Sequence, residues 1–450
     1  MYIGSYNTGR AVIAGTAAAG ILVVDTAGVD IRHVVLAGAH RGGPQSAGIQ
    51  LYSDLPRNHH LDHVVIEDVD VSGFGTGISI GAVNPGAGFH GVWVGDSALH
   101  DNLSAGLSSY GPKFDPAAPS YAHANVHVAR VQAYGNAGDP ASTHRNSGNG
   151  IVLGSVSDAS VSWSTAHGNG GANGAPHEGP IGIWAYDSTG VVIQHSLSFG
   201  NQTATRRDGG GFGLDQNTSN SVLQYNLAYG NAGAGFQVYS PRDKQSQGNI
   251  VRFNISSGDA LETINAAGII VSGRVIDAAV YQNTVIIGDR SAGPHAALWL
   301  GKSVRGITVR NNIFMTTSPA AIVVAQHALK PATAMLQGND YFTTASHLTV
   351  LWGLSAPYQS LPSWRAATGQ EIVRGRPAGI AADPRLRGPV LGLTSRAATD
   401  PGNGAGFVPV SGSPVLRAGL DLSRLFHTDP GRVGYGGQPV SQGRPNIGAH

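Results

Sequence analysis

The sequence predicts an all-β chain wound as a parallel β-helix, a solenoid with an extended C-terminal tail and one short helix. Three observations carry that expectation. Short segments of the form Gly-apolar-x-apolar begin at Gly77, Gly106, Gly150, Gly182, Gly211, Gly235 and Gly268, and Ala297 and Ala321 extend the row; self-similarity in this range of periods marks a repeat architecture. A second row of turns, His100-Asp101-Asn102, Tyr134-Gly135-Asn136, His167-Gly168-Asn169, Phe199-Gly200-Asn201 and Tyr229-Gly230-Asn231, recurs at spacings of 34, 33, 32 and 30 residues. Third, 65 of the 450 residues are Gly and only 12% are charged, with four Glu and four Lys. The long-chain helix formers are nearly absent while turn formers abound.

Two ladders with one period mean one coil per repeat. Alternation such as Ile78-Ser79-Ile80 or Phe236-Gln237-Val238 has the period of two of a half-buried strand. One coil cannot bury its apolar face alone, whereas stacked coils do so at ~4.8 Å per step. Asn and Gly suit equivalent turns, since Gly supplies positive φ and stacked Asn amides bond up and down the stack. A propeller of similar period would need hairpin turns inside each blade, and those paired signals are missing.

In chain order, the apolar run from Ala11 to Val24 has only Arg10 ahead of it and is interrupted by Gly and Thr, which suits a short buried strand better than a targeting segment. The abrupt Met1-Tyr2-Ile3-Gly4 start suggests a truncated N-terminal cap. The coils are expected to fill residues 1–336. Gly338-Asn339-Asp340-Tyr341-Phe342 closes the last of them, Ser360 to Glu371 holds the only helix-like stretch, and residues 337–450 read as a capping tail packed on the β-helix. Its expected task is to cover an exposed sheet edge.

The formal net charge of +1 gives no footprint for nucleic acid, and no run reaches the ~18 apolar residues of a membrane helix. With no Cys, a disulfide scaffold, a Cys nucleophile and a thiolate metal site are excluded. The histidines show no metal motif: His59, His60 and His63, and His123 with His127, have helical spacing in strand-like or loop contexts, and are expected at the surface. The string Asp208-Gly209-Gly210-Gly211-Phe212-Gly213 imitates a dinucleotide fingerprint, but no helix follows it. A Ser-His-Asp hydrolase lacks its Gly-x-Ser-x-Gly elbow.

The coil ladder, the block from Asp208 to Asn226 (DGGGFGLDQNTSNSVLQYN) running on into Tyr229-Gly230-Asn231, and the tail pieces Ser360-Leu361-Pro362-Ser363-Trp364-Arg365 and Asn446-Ile447-Gly448-Ala449 resemble secreted bacterial right-handed parallel β-helix proteins of the pectin-lyase-like superfamily. The resemblance runs from about Gly15 to the end. It implies a right-handed coil, an extracellular location, and a functional site along the first strand ladder and its flanking loops. It does not select among hydrolases, lyases, epimerases, esterases and non-enzymatic tailspikes or adhesins. One departure is Gly213, where members often carry an acid; Asp215 is left as the acid of that strand.

Counting from the ladder Gly, offsets +1 and +3 face inward and +2 and +4 outward. Tyr186, Asp215 and Tyr239 then fall on three consecutive coils, with Trp184 one pleat away. The loops before the ladder Gly concentrate charge: His144-Arg145-Asn146, His177-Glu178 and Arg206-Arg207-Asp208. Aromatic faces beside carboxylates and Arg suit carbohydrate recognition, because a pyranose shows an apolar face and a rim of hydroxyls. Glycoside hydrolysis needs one carboxylic acid and one carboxylate, and Asp208, Asp215 and Glu178 are the expected catalytic residues. Arg206, Arg207, His144, Tyr186, Tyr239 and Trp184 are the expected substrate-binding residues. No cofactor is required by this scheme. A polysaccharide lyase acting on a uronate-containing polymer would use Arg206 or Arg207 to neutralise the carboxylate, His144, Tyr239 or an Arg to remove the α-proton, and Ca²⁺ held by Asp208 and Asp215.

Each residue has a structural reading as well. Asp215 suits the Asn217-Thr218 turn; the loop charges suit solvent; Tyr186 and Tyr239 suit a ladder stabilising the sheet. A glycoside hydrolase acting on a polysaccharide or oligosaccharide is therefore the first expectation, a lyase the second, and a non-catalytic carbohydrate-binding or surface β-helix the third, in each case without nucleic acid or membrane insertion and as a monomer.

Overall fold

The computed structural model describes residues 1–15, 18–39, 43, 45–264, 266–288, 295–317, 320–353, 356–388, 390–393 and 401–450. It divides into two compact units, Met1–Ser221 and Val222–His450. Each is an all-β parallel solenoid, as expected. In the first, a broad sheet stacks Ala19–Val24, Ala47–Ser53, Thr76–Ala82, Ala105–Tyr110, Asn149–Gly154, Ile181–Tyr186 and Gly210–Leu214, all in parallel register. In the second, Phe236–Ser240, Ala267–Gly273, Ala296–Leu300, Ala321–Ala325 and Val350–Trp352 stack the same way. The apolar segment near the N-terminus supplies the strands Ala11–Gly15 and Ala19–Val24, with Thr16 and Ala17 outside the described residues.

The inward offsets hold: Ile78, Ile80, Leu107, Ile151, Leu153, Ile183, Phe212 and Leu214 are fully buried, as are Phe236, Val238, Ile269 and Val271 in the second unit. The turn row behaves as its chemistry requires. Gly135, Gly168 and Gly200 take φ of 62°, 62° and 59°, with Asp101 at 51° in the equivalent place, a left-handed conformation that Gly and Asp tolerate. The next residue turns its amide inward, so Asn102, Asn136, Asn169 and Asn201 form a buried chain, each Nδ2 donating to the next Oδ1 at 2.9–3.0 Å. The preceding rings of His100, Tyr134, His167 and Phe199 stack at 4.7, 5.2 and 4.7 Å.

In the second unit the same turn row continues from Asn231, whose Nδ2 donates to Asp259 Oδ1 at 2.8 Å. A separate amide chain at the corner before it runs Asn226, Asn254, Asn283, Asn312, Asn339 and ends on Glu371, whose Oε1 accepts from Asn339 Nδ2 at 2.8 Å and from the Tyr341 hydroxyl at 2.7 Å. The expected helix is Leu361–Thr368, capped by Ser360 with Pro362 in its first turn. It closes the coil by setting fully buried Trp364 edge-on against Tyr341 and Trp352 at 5.5 and 5.4 Å. A second helix, Leu422–Phe426 with Asp421 as its cap, was not expected; five residues are too few to show a helical period. The tail is pinned to the unit's flank by Asn311 Nδ2 donating to the Leu420 carbonyl and by Ile313, Val415 and Ile447. Among the described residues no helix is long and apolar enough to cross a membrane.

Candidate functional site

The outer face of the first unit's broad sheet carries one row of alternating residues. Register places Tyr52 beside Gly81, Gly81 beside Tyr110, and Gly154 beside Tyr186. The alternation has a steric reason: a Cβ on Gly81 would lie 2.2 Å from the Tyr110 ring, and one on Gly154 2.3 Å from the Tyr186 ring. Tyr110 and Tyr186 each lie across the glycine of the coil before and remain half-buried. Such rings give a sugar flat apolar area with a polar rim. The Tyr186 hydroxyl donates to the Ser109 carbonyl at 3.4 Å. Burial, with Asp187 nearby, drives its phenol well above the ordinary value, and the Arg145 charge pulls the other way. Tyr186 therefore stays neutral at any working pH.

Trp184 points outward in register but is only 8% exposed, packed with Ala105, Val152 and Ile181. Its indole N–H donates to Asn149 Oδ1 at 3.0 Å and its ring lies 5.4 Å from that of Tyr186. It supports the platform and does not form its surface. The packing around Gly213 is tight: a Cβ there would lie 3.1 Å from Ile181 Cδ1 and 3.2 Å from Trp184 Cβ, so a side chain at this position requires those neighbours to give way.

The expected pairing of Asp208 with Asp215 does not form. They stand before and after the five-residue strand Gly210–Leu214, whose ends alone are ~13 Å apart at ~3.3 Å per residue. That exceeds the ~5–9.5 Å over which two carboxylates serve one glycosidic bond. The same separation removes a Ca²⁺ ion shared by both. The sheet thus has two edges with separate chemistry.

At the entry edge, Asp208 Oδ2 accepts from the Gly179 N–H at 2.9 Å and Glu178 Oε2 from the Asn146 N–H at 3.3 Å. Each loop carboxylate clasps the backbone of the preceding coil. His144, Glu178, Arg206 and Arg207 are exposed on this row. At the exit edge, the Asp215 N–H donates to the Ala185 carbonyl at 2.8 Å, which continues the ladder and sets Asp215 beside Tyr186. Its carboxylate accepts from the Gln216 N–H at 2.6 Å, and its carbonyl from Thr218 at 3.0 Å, so it serves the turn as the structural reading expected.

On the adjoining coil, the Asp187 N–H donates to the Gln216 carbonyl at 2.8 Å, and Asp187 Oδ1 accepts from Asn217 Nδ2 at 2.7 Å. Tyr121, from the loop after Ala105–Tyr110, adjoins Thr189 and Asp187; burial raises its phenol, the Thr189 bond lowers it and Asp187 raises it again. The exit edge therefore gathers Tyr121, Tyr186, Asp187 and Asp215.

Asp187, Tyr121, Tyr110 and Arg145 were not among the expected site residues. Asp187 directly follows Tyr186, and moving the outward column one position on would have found it; Tyr121 gave no such signal, since a loop's course is not periodic. Tyr239 lies on Phe236–Ser240 of the second unit and is 36% exposed. His123, expected at the surface, is fully buried: Nδ1 accepts from the Phe89 N–H and Nε2 bonds the Tyr110 carbonyl. Burial lowers its pKa to about 4, so it is a neutral strut beneath the tyrosine row.

No protein-family profile matches the sequence, and no curated protein matches it. Among solved structures the chain is similar to the GH136 lacto-N-biosidase from Eubacterium ramulus (13% identity, 78% of this chain and 57% of that one, TM-score 0.45). It is also similar to pectate lyase Pel9A (16%, 98% and 86%, 0.45) and to the A-module of the mannuronan C-5 epimerase AlgE4 from Azotobacter vinelandii (14%, 79% and 91%, 0.44). The chain thus spans little more than half the length of the lacto-N-biosidase.

Proposed function

We propose that the chain is a carbohydrate-active protein that lays a saccharide across Tyr110 and Tyr186 and hydrolyses a glycosidic bond at the exit edge, with Asp215 and Asp187 as the two carboxylates. The observation that carries this reading is that two half-buried aspartates stand at one edge of adjacent coils beside a neutral tyrosine ring. One, as the acid, protonates the leaving oxygen; the other, as carboxylate, activates water or attacks the anomeric carbon as that bond breaks. Proton abstraction by Tyr186, as in a lyase, is disfavoured because burial opposes its phenolate.

A second reading, a binding-only β-helix, is favoured by one observation: Asp187, Asp208, Asp215 and Glu178 all accept bonds from backbone or amide N–H groups. The test is a polysaccharide panel assayed for reducing ends and for absorbance at 235 nm, with and without EDTA. Reducing ends without absorbance support hydrolysis. Absorbance rising with them supports a lyase, and binding without either supports the second reading.

A further inference from the structure

A separate feature lies in the second unit, at the corner turns that leave its broad sheet. Arg242 follows Phe236–Ser240, Arg274 follows Ala267–Gly273 and Arg305 follows Ala296–Leu300. They are 32 and 31 residues apart in sequence, one coil each. The backbone locks the register: the Arg274 N–H donates to the Ser240 carbonyl at 2.8 Å and the Arg305 N–H to Val275 at 2.9 Å. With Gln245, Ile276 and Ser303 the three arginines line an open cavity of about 550 Å³.

All three side chains are exposed, and among the described residues none of the ion pairs involves them. The same turns hold five cations, Arg242, Lys244, Arg274, Lys302 and Arg305, against two carboxylates, Asp243 and Asp277. Among the described residues, four arginines elsewhere stand against carboxylates, Arg10 with Asp68, Arg32 with Asp30 and Glu67, Arg130 with Asp96 and Arg252 with Asp429, whereas this turn row stacks three cations on successive coils. A solvated surface gains nothing from stacking like charges on successive coils, where each repels the next. An anion between them removes that repulsion.

We propose that this arginine ladder is a binding site for an anionic polysaccharide, one bearing a carboxylate or sulfate on successive sugars and running along the coil stack. Guanidinium forks take such groups through paired hydrogen bonds, and coils rising ~4.8 Å per step repeat at about the length of one pyranose. Gln245 and Ser303 supply partners for hydroxyls. The lining residues include no aromatic ring of the kind on which unpaired bases stack, so a glycan fits better than a single-stranded nucleic acid.

The site is independent of the exit-edge aspartates, and its test reads binding by the full chain. Titration calorimetry with polygalacturonate and with dextran sulfate, beside unmodified dextran and an oligothymidylate, should show salt-dependent binding to at least one anionic glycan and none to dextran. The stronger of the two identifies carboxylate or sulfate as the preferred group. Arg274→Gln should weaken binding roughly tenfold and flatten its salt dependence by about a third. The triple Gln variant at 242, 274 and 305 should abolish it with an unchanged melting temperature, while Arg57→Gln, at an exposed arginine of the first unit, keeps it. Failure of both anionic glycans to bind, full binding by the triple variant, or equally tight oligothymidylate binding through the same arginines would overturn the proposal.

Discussion

The carboxylates of the first unit's sheet and those in the core of the second accept similar hydrogen bonds in opposite surroundings. Glu178 is exposed and Asp187 and Asp215 half-buried, whereas Asp259, Asp340 and Glu371 have no exposed surface. Asp259 accepts from both the backbone N–H and the Nδ2 of Asn231, and from the Ser256 hydroxyl; burial still pushes it up to about 7. Asp340 accepts from Ala382 through Oδ1, its Oδ2 has no partner among the described residues, and burial pushes it up to about 8. An amide both donates and accepts, so it passes a ladder on; a carboxylate only accepts, so it ends one. Glu371 stands where the second unit's amide chain stops. The first set keeps solvent-facing surface while bonded to neighbouring coils, and the dry set terminates structure.

The largest effect should separate the edges of the first unit. Asp215→Asn and Asp187→Asn should each lower reducing-end release by about 10²–10⁴-fold, while Glu178→Gln and Asp208→Asn change it only a few-fold. Equal losses at both edges would erase the distinction drawn between them.

In the dry set, Glu371→Leu leaves the Asn339 amide, the Tyr341 hydroxyl and the Gly338 N–H without their acceptor. It should lower unfolding free energy by about 3–5 kcal/mol in urea titrations, and Glu371→Gln, which keeps one acceptor oxygen, by less than half as much. A leucine variant as stable as the parent would show that the ladder needs no terminal acceptor.

The pH dependence should differ in sign between the units. Asp259 and Asp340 have folded values of about 7 and 8, above the ~3.9 of an unfolded Asp. The folded state binds these protons more tightly, so their stabilisation is complete below ~3.9 and is lost as pH rises through 7 and 8. Asp96, held low by its bond to Arg130, acts the other way, and weakly, because that pair is exposed. Hydrogen exchange at pH 5 and pH 8 should show protection falling in the second unit, and Asp259→Asn with Asp340→Asn should remove the slope. The smallest effect belongs to the ring stack: His167→Ala should cost about 0.5–1.5 kcal/mol, read as a shift in urea midpoint.

The coils were legible because their signals are local. Ile78-Ser79-Ile80 shows its burial by alternation, and Tyr134-Gly135-Asn136 states its turn by conformation. The site was legible only in part. Counting along the ladder reaches Asp215 and Tyr186, whereas loop charge brings in Asp208, and the strand between Asp208 and Asp215 sets them at opposite edges of the sheet. Trp184 read as a platform because its pleat faces outward, and only the packing of Ala105, Val152 and Ile181 shows that an outward residue is buried.

By itself, then, the sequence determined the parallel coil, the Asn and aromatic ladders, the inward and outward columns and the closing helix, since period and turn chemistry act over a few residues. Tertiary structure alone decided which acids share an edge, that His123 is a buried strut, that Glu371 ends an amide chain and that Arg242, Arg274 and Arg305 line one cavity. Those facts depend on which coil stacks on which and on how far a loop reaches across it, distances that no local pattern encodes.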